Sequence, residues 1–295
     1  MASGNITNKG SNMAIDRLFN SSPTYSEVSK AQFGACKYAN SVTDTKVYFP
    51  VPIDVSSVAI IDDCETADWS AENDGDSPTL NTEAGYHLED ASSLNLLTTH
   101  SAGSAGYYKT FSNFDVTDKY FCLPIRINDL TDITAGASAL TIDLGTGGFT
   151  NYNRYTFNKT LLQAGWNYIV CNGNTADTTG GTGATLTTIN RVKLTITNAT
   201  SWVASDMVMD WVQTYDMADT FMSFTSGYPI QTEADKEVTY RFSINSVQAN
   251  NYAIRELGVF DDTGTYLYAR DVFTTINKDE YITLTTELSD IIENE

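Results

Sequence analysis

In Arg191-Val192-Lys193-Leu194-Thr195-Ile196-Thr197 the apolar residues take every second position, so Val192, Leu194 and Ile196 share one face of a strand and the polar residues the other. The pattern predicts a strand with one wet side. Strand-like runs of the same kind recur at residues 107–112, 119–127, 139–144, 152–158, 166–171 and 207–215, divided by Gly, Ser, Thr and Asn clusters. Many short strands with polar turns and no intervening helix predict two packed antiparallel sheets, and a jelly-roll sandwich is the expected form.

The flanks have a different texture. Val47, Phe49, Val51 and Ile53 alternate on one side of this region; Val238, Tyr240, Phe242 and Ile244, then Ile254, Leu257 and Val259, then Ile282, Leu284, Thr286 and Leu288 follow on the other. Asp262-Thr263-Gly264 sits between two such runs and reads as a hairpin turn. Neither flank has enough apolar surface for a domain of its own, so the two are expected to fold together. Residues 1–57 with 217–295 are therefore predicted to form a discontinuous β platform, and residues 58–216 an inserted domain whose ends lie close together. On this reading residues 47–53 lie beside the strands after Asp219 in one continuous sheet. Met13, Ile15, Leu18 and Phe19 have helical spacing, which adds one short N-terminal helix. The fold class is all-β: a jelly-roll β-sandwich inserted into a small β-rich platform with one short helix.

Charge narrows the partners. The 295 residues carry 37 acidic against 17 basic side chains, a net charge of -20 and a pI near 4.2, which excludes the basic footprint of nucleic-acid binding. Scattered Lys and Arg also argue against anionic lipid, and no apolar run has the length of a membrane span. Residues 1–5 lack the charged and apolar regions of a signal peptide, so synthesis in a cytosol without secretion is expected. Cys36, Cys64, Cys122 and Cys171 are widely spaced and read as buried free thiols. The sequons at Asn158 and Asn198 carry no weight outside a secretory route.

The string Arg255-Glu256-Leu257-Gly258-Val259-Phe260-Asp261-Asp262-Thr263-Gly264-Thr265, followed by Tyr268-Ala269-Arg270-Asp271-Val272-Phe273, resembles the end of a group of tailed-bacteriophage virion structural proteins. Asn8-Lys9-Gly10, Asp16-Arg17-Leu18-Phe19, Phe33-Gly34 and Val51-Pro52-Ile53 resemble the start of the same group, although Gly34-Ala35-Cys36-Lys37 stands where the group often has a Gly-Thr-Gly run. The resemblance implies a place on the virion exterior, as a capsid decoration or cement protein, a head fibre, or a tail or neck appendage. It also implies capsid or tail proteins as partners and assembly as a homotrimer.

Within the insert, Ile60-Ile61-Asp62-Asp63-Cys64-Glu65 with Trp69, then Gly165-Trp166-Asn167-Tyr168-Ile169, then Met207-Val208-Met209-Asp210-Trp211-Val212 resemble carbohydrate-binding-module or lectin-like jelly rolls. That resemblance implies a structural calcium ion held by acids of the first and last strands, here Asp62, Asp63, Glu65 and Asp210, and hard Ca²⁺ suits carboxylate oxygens. The alternative is that these acids face solvent at strand ends. Asn73-Asp74-Gly75-Asp76 lacks the remaining ligands of a calcium loop and reads as a turn. Sugar recognition needs exposed aromatic faces beside hydrogen-bonding side chains, for which Tyr107, Tyr108, Tyr152, Arg154, Tyr155 and Trp202 are candidates. Adjacent residues of a strand point to opposite faces, so the other reading places some of these tyrosines in the core. Trp69, Trp166 and Trp211 are assigned to the core or its rim.

Nothing points to catalysis. His87 and His100 lie in polar stretches without a nucleophile motif, and the Gly-rich run at 178–183 lacks the Lys and helix of a phosphate loop, so it reads as a flexible loop. The expected function is a non-enzymatic virion structural protein that displays a lectin-like domain; the alternative is an adhesin for host-surface polysaccharide, and a glycan hydrolase ranks third.

Overall fold

The computed structural model describes residues 5–20, 22–23, 25–232 and 237–291. It is almost entirely β, with one α-helix near the N-terminus. The chain divides into two compact units, residues 1–56 with 217–295, and residues 57–216.

The 57–216 unit is a β-sandwich. One sheet has the order Thr178–Gly180, Asn151–Phe157, Leu140–Thr146, Ile189–Asn198, Gly103–Phe114, Ser70–Asn73. In the other, Lys119–Ile127 is central: Gly165–Asn172 pairs along one edge, and Met207–Met209 and Val212–Asp216 pair with successive stretches of the opposite edge. The last two strands are one line interrupted at Asp210 and Trp211, where Trp211 takes a φ of 52°. Ser93–Leu97, Asp76–Asn81 and Ala59–Asp62 complete that sheet. The strand-period alternation is visible in Ile189–Asn198, where Val192, Leu194 and Ile196 are fully buried and Arg191, Lys193, Thr195 and Thr197 are half-exposed. Leu94, Leu96, Phe121, Leu123 and Ile125 of the other sheet are fully buried as well, and Phe114 stacks on Phe121 with ring centroids 6.1 Å apart. Residues 73–76 form the turn from Ser70–Asn73 to Asp76–Asn81, passing from one sheet to the other. Asp216 N donates to Ser57 Oγ at 3.2 Å, so the unit's two ends are adjacent.

The unit of residues 1–56 and 217–295 has a five-stranded sheet, ordered Asn5–Ile6, Leu267–Asn277, Ala253–Asp261, Val28–Gly34, Phe221–Ser223, and a three-stranded one, Ile230–Thr232, Glu237–Ile244, Leu284–Ile291. The hairpin turn expected at Asp262-Thr263-Gly264 joins its two longest paired strands. The helix, Asn8–Phe19, begins earlier than its apolar spacing indicates because Thr7 caps it: Thr7 Oγ1 accepts from Gly10 N at 2.9 Å and donates to Leu267 O at 2.6 Å. A Cβ on Gly10 would lie 2.1 Å from Tyr268 O, so only glycine permits this docking. The side chains of Ile15, Leu18 and Phe19 lie outside the described residues.

The expected pairing of residues 47–53 is corrected. Val28–Gly34 is the N-terminal strand of the sheet, and the 47–53 segment contributes one bridge, Gly34 to Pro50. Pro50 and Pro52 supply no N–H for a ladder and Phe49 has a φ of 53°, so the segment runs beside the end of Val28–Gly34 through Ala35 N to Phe49 O and Val51 N to Phe33 O, without a ladder, while burying Val47, Phe49, Val51 and Ile53.

Every residue of Ala253–Asp261 is buried, including Arg255, Glu256 and Asp261. Beside it Arg270, with no exposed side-chain surface, bonds Glu256 Oε2 at 2.7 Å, Asp44 Oδ2 at 2.9 Å and Tyr38 O at 2.8 Å. One guanidinium thus faces two buried acidic side chains. Burial pushes the Glu256 carboxyl up to about 8, against the pull of Arg270.

Candidate functional site

The outward face of the six-stranded sheet of the 57–216 unit carries the candidate site. Register fixes its members: Lys193 lies opposite Asp143 and Tyr108, Arg154 opposite Asp143, and Arg191 opposite Gly145 and Thr110, while Tyr152 lies opposite Gly145 and Gly180. Because pairing conserves side-chain direction across a sheet, Tyr108, Asp143, Tyr152, Arg154, Arg191 and Lys193 all project from one surface.

Two glycines let the rings lie flat. A Cβ on Gly180 would sit 2.1 Å from Tyr152 Cε1, and one on Gly145 would sit 2.5 Å from Phe149 Cδ1. Phe149 is folded back onto the sheet by a turn in which Gly147, Gly148 and Phe149 all have positive φ, at 56°, 74° and 63°. Gly180→Val should lift the Tyr152 ring, weakening any ligand contact made there while leaving the thermal midpoint within about 2 °C of wild type, since surface changes usually stay within ±0.5 kcal/mol; calorimetry and a binding titration check the two halves of that expectation.

Charges knit the face together. Arg154 holds Asp143 through two bonds, at 2.7 and 2.8 Å, and Lys193 lies 3.6 Å from Asp143 and 3.1 Å from Glu72. The Arg154 guanidinium is 5.0 Å from the Tyr152 ring centroid; that of Arg191 is 4.8 Å from Tyr108 and 5.0 Å from Phe149. The result is a half-exposed platform of three rings among fixed cations.

Of the residues expected to stack on sugar, the structure therefore brings together Tyr108, Tyr152 and Arg154. Tyr107, Tyr155 and Trp202 are corrected: they are 0%, 4% and 2% exposed and have no open ring face. Tyr107 and Tyr155 stand one residue out of phase with Tyr108 and Arg154, which turns them inward, where their hydroxyls donate to Leu97 O and Gly173 O. Trp202 is buried with its Nε1 donating to Asp132 O at 3.3 Å. Asp143, Phe149, Arg191, Lys193 and Glu72 were missed. The alternation of 191–197 already marked Arg191 and Lys193 as outward residues; the other three depend on register and on a folded-back loop.

The calcium expectation is also corrected. Asp62 Oδ2 already accepts from Lys109 Nζ at 3.0 Å and Trp69 Nε1 at 2.5 Å, Asp63 accepts from Glu65 N at 3.1 Å, and Glu65 accepts from Ala91 N and Ser92 N at 3.1 and 2.8 Å. Asp62 is thus paired with a cation of the chain itself, and Glu65 is turned onto the 91–92 backbone. Asp210 accepts from Leu88 N at 2.6 Å, and only its Oδ1 is buried without a partner. Burial, with the Glu65 charge adding to it, pushes the Asp210 carboxyl up to about 7. Among the described residues no group of three or more His, Cys, Asp or Glu side chains could hold a metal ion.

The Gly-rich run is not a free loop: Thr178–Gly180 is an edge strand paired with residues 152–154. The four cysteines are buried free thiols, and burial pushes those of Cys36 and Cys122 up to about 12. Among the described residues no helix is long and apolar enough to cross a membrane.

No family model matches the chain, and no curated protein matches it. Several solved structures are similar over part of it. A family 11 carbohydrate-binding module from Clostridium thermocellum, in complex with a β-1,3-1,4-mixed-linked tetrasaccharide, is 12% identical with a TM-score of 0.35, over 54% of this chain and 95% of that one. An arabinose-bound α-L-arabinofuranosidase is 14% identical with a TM-score of 0.36, over 69% of this chain and 33% of that one. The enzymatically active domain of tailspike protein 4 of bacteriophage CBA120 is 11% identical with a TM-score of 0.30, over 55% of this chain and 20% of that one.

Proposed function

We propose that this chain is a non-enzymatic, glycan-binding protein of a bacteriophage virion exterior. In this reading the 57–216 unit is a jelly roll of the carbohydrate-binding-module kind that holds host-surface polysaccharide. The unit of residues 1–56 and 217–295 anchors it, as a homotrimer, to capsid or tail. The observation that carries the binding half is the outward platform, where the half-exposed rings of Tyr108, Phe149 and Tyr152 stand beside Arg154, Arg191 and Lys193. Pyranose rings stack on such faces and their hydroxyls bond to such side chains. Binding without hydrolysis is favoured because the platform's central carboxylate, Asp143, is clamped by Arg154 and buried to 1% exposure, so it is an unsuitable proton donor or nucleophile. The anchoring half rests on the sequence resemblance of the flanking strings to tailed-phage virion proteins.

The adjacency of Ser57 and Asp216 allows the two halves to be tested apart. Replacing residues 57–216 by a short Gly-Ser linker should leave a chain that still assembles on particles, while the particles lose adsorption to host cells. Failure of the shortened chain to assemble, with the isolated 57–216 unit binding particles instead, would reverse the assignment of anchor and display.

A further inference from the structure

We propose that the glycan held on this platform is anionic, and that Arg191 binds its carboxylate, sulfate or phosphate substituent. This rests on the glycan-binding reading above and names the ligand class of the same site.

The three cations of the platform are not equivalent. Arg154 is committed to Asp143 by two hydrogen bonds, and Lys193 is shared between Glu72 and Asp143. Arg191 has no carboxylate within ion-pairing distance among the described residues; its hydrogen bond is from Nε to Thr110 Oγ1 at 3.1 Å. Its guanidinium lies against the rings of Tyr108 and Phe149, whose own centroids are 6.4 Å apart in an edge-to-face pair. The rings and the Nε bond hold the fork in place, and the terminal nitrogens have no acceptor among the described residues. Planar, fixed and unpaired guanidinium groups are suited to two-point recognition of carboxylate, sulfate and phosphate oxygens.

Acidic residues outnumber basic ones by 37 to 17 in the chain, and Arg126 too has no ion-pair partner among the described residues, so what sets Arg191 apart is its place on the outward face against two rings. On this face Arg154 and Lys193 pair with Asp143 and Glu72, whereas Arg191 pairs with no acid among the described residues. The chain's overall charge of -20 repels a polyanion at long range. Affinity for an acidic polymer therefore has to come from this short-range fork and the stacked rings. A neutral glycan would use the rings and leave the Arg191 fork without a partner.

A glycan array probed with the full chain, Arg191→Gln, Arg191→Lys and Tyr152→Ala tests this. The array carries neutral β-glucan, mannan and xylan, together with polygalacturonate, alginate, chondroitin sulfate and glycerol-phosphate polymer, so that uronate, sulfate and phosphate arms are separate. The full chain is expected to bind one acidic arm in preference to every neutral glycan. Arg191→Gln should weaken that binding about tenfold or more, equivalent to ~1.4 kcal/mol, and Arg191→Lys should restore part of it. Preference for neutral glycans, unchanged in Arg191→Gln but lost in Tyr152→Ala, overturns the anionic assignment and leaves the glycan reading standing. Binding to no glycan, neutral or acidic, overturns both.

Discussion

Arg270→Met should destabilise the unit of residues 1–56 and 217–295 by roughly 3–5 kcal/mol, the usual cost of removing one partner of a buried ionic cluster. Arg270 is wholly buried and is the shared partner of Glu256 at 2.7 Å and Asp44 at 2.9 Å, so its loss leaves the Asp44 carboxylate without its cation and the buried Glu256 carboxyl without its hydrogen-bond partner. The neighbouring hydrogen bond to Tyr38 O is lost with it. The 57–216 unit has its own core and should melt unchanged in the variant. Differential scanning calorimetry of the whole chain separates the two outcomes: one transition moves down while the other stays. A variant with both transitions intact would show that the cluster adds nothing to stability.

Stability should also fall as pH rises from about 5 to about 8. Asp210 and Glu256 are both buried and hold their protons up to about 7 and about 8. In the unfolded chain such groups lose the proton near pH 4. Between those limits the folded protein therefore carries more protons than the unfolded one, and the linkage relation gives a stability that decreases with pH. Each group contributes up to about 1.4 kcal/mol per pH unit across its window. The exposed carboxyls of Asp54, Asp115 and Asp129 are shifted the other way by hydrogen bonds from their own loops, and they act only below the ordinary carboxylate range. The thermal midpoints at pH 5 should thus exceed those at pH 8, and Asp210→Asn should flatten the profile of the 57–216 unit. Midpoints that rise between pH 5 and pH 8 would contradict the burial of these two acids. In Arg270→Met the slope should steepen, because Glu256 then has less to keep it ionised.

What could be read from the sequence follows from what period-two alternation encodes. Residues 191–197 declared their strand and its wet side, and the Asp262-Thr263-Gly264 turn declared its hairpin, because both signals are local. The same parity separates Tyr107 from Tyr108 and Arg154 from Tyr155, and it marks Arg191 and Lys193 as outward. Which strands then lie side by side is not local. Asp143 sits between Ile142 and Leu144 and reads as an isolated acid until register sets it between Arg154 and Lys193. Phe149 reads as a loop residue until the Gly147-Gly148 turn folds it onto Gly145. Glu256 and Arg270 look like solvated charges in sequence, and only a strand covered on both sides makes them a buried pair. The 47–53 segment misled for the opposite reason: its alternation is regular, but Pro50 and Pro52 cannot join a ladder.

The central claim is that the outward sheet face of residues 57–216 binds polysaccharide. It is tested most directly by affinity gel electrophoresis of the full chain in polysaccharide purified from the host envelope, beside a Tyr108→Ala/Tyr152→Ala double variant. The wild-type chain should be retarded, and the double variant should migrate as it does in a gel without polysaccharide. Equal retardation of both chains would place the binding surface elsewhere and contradict the account.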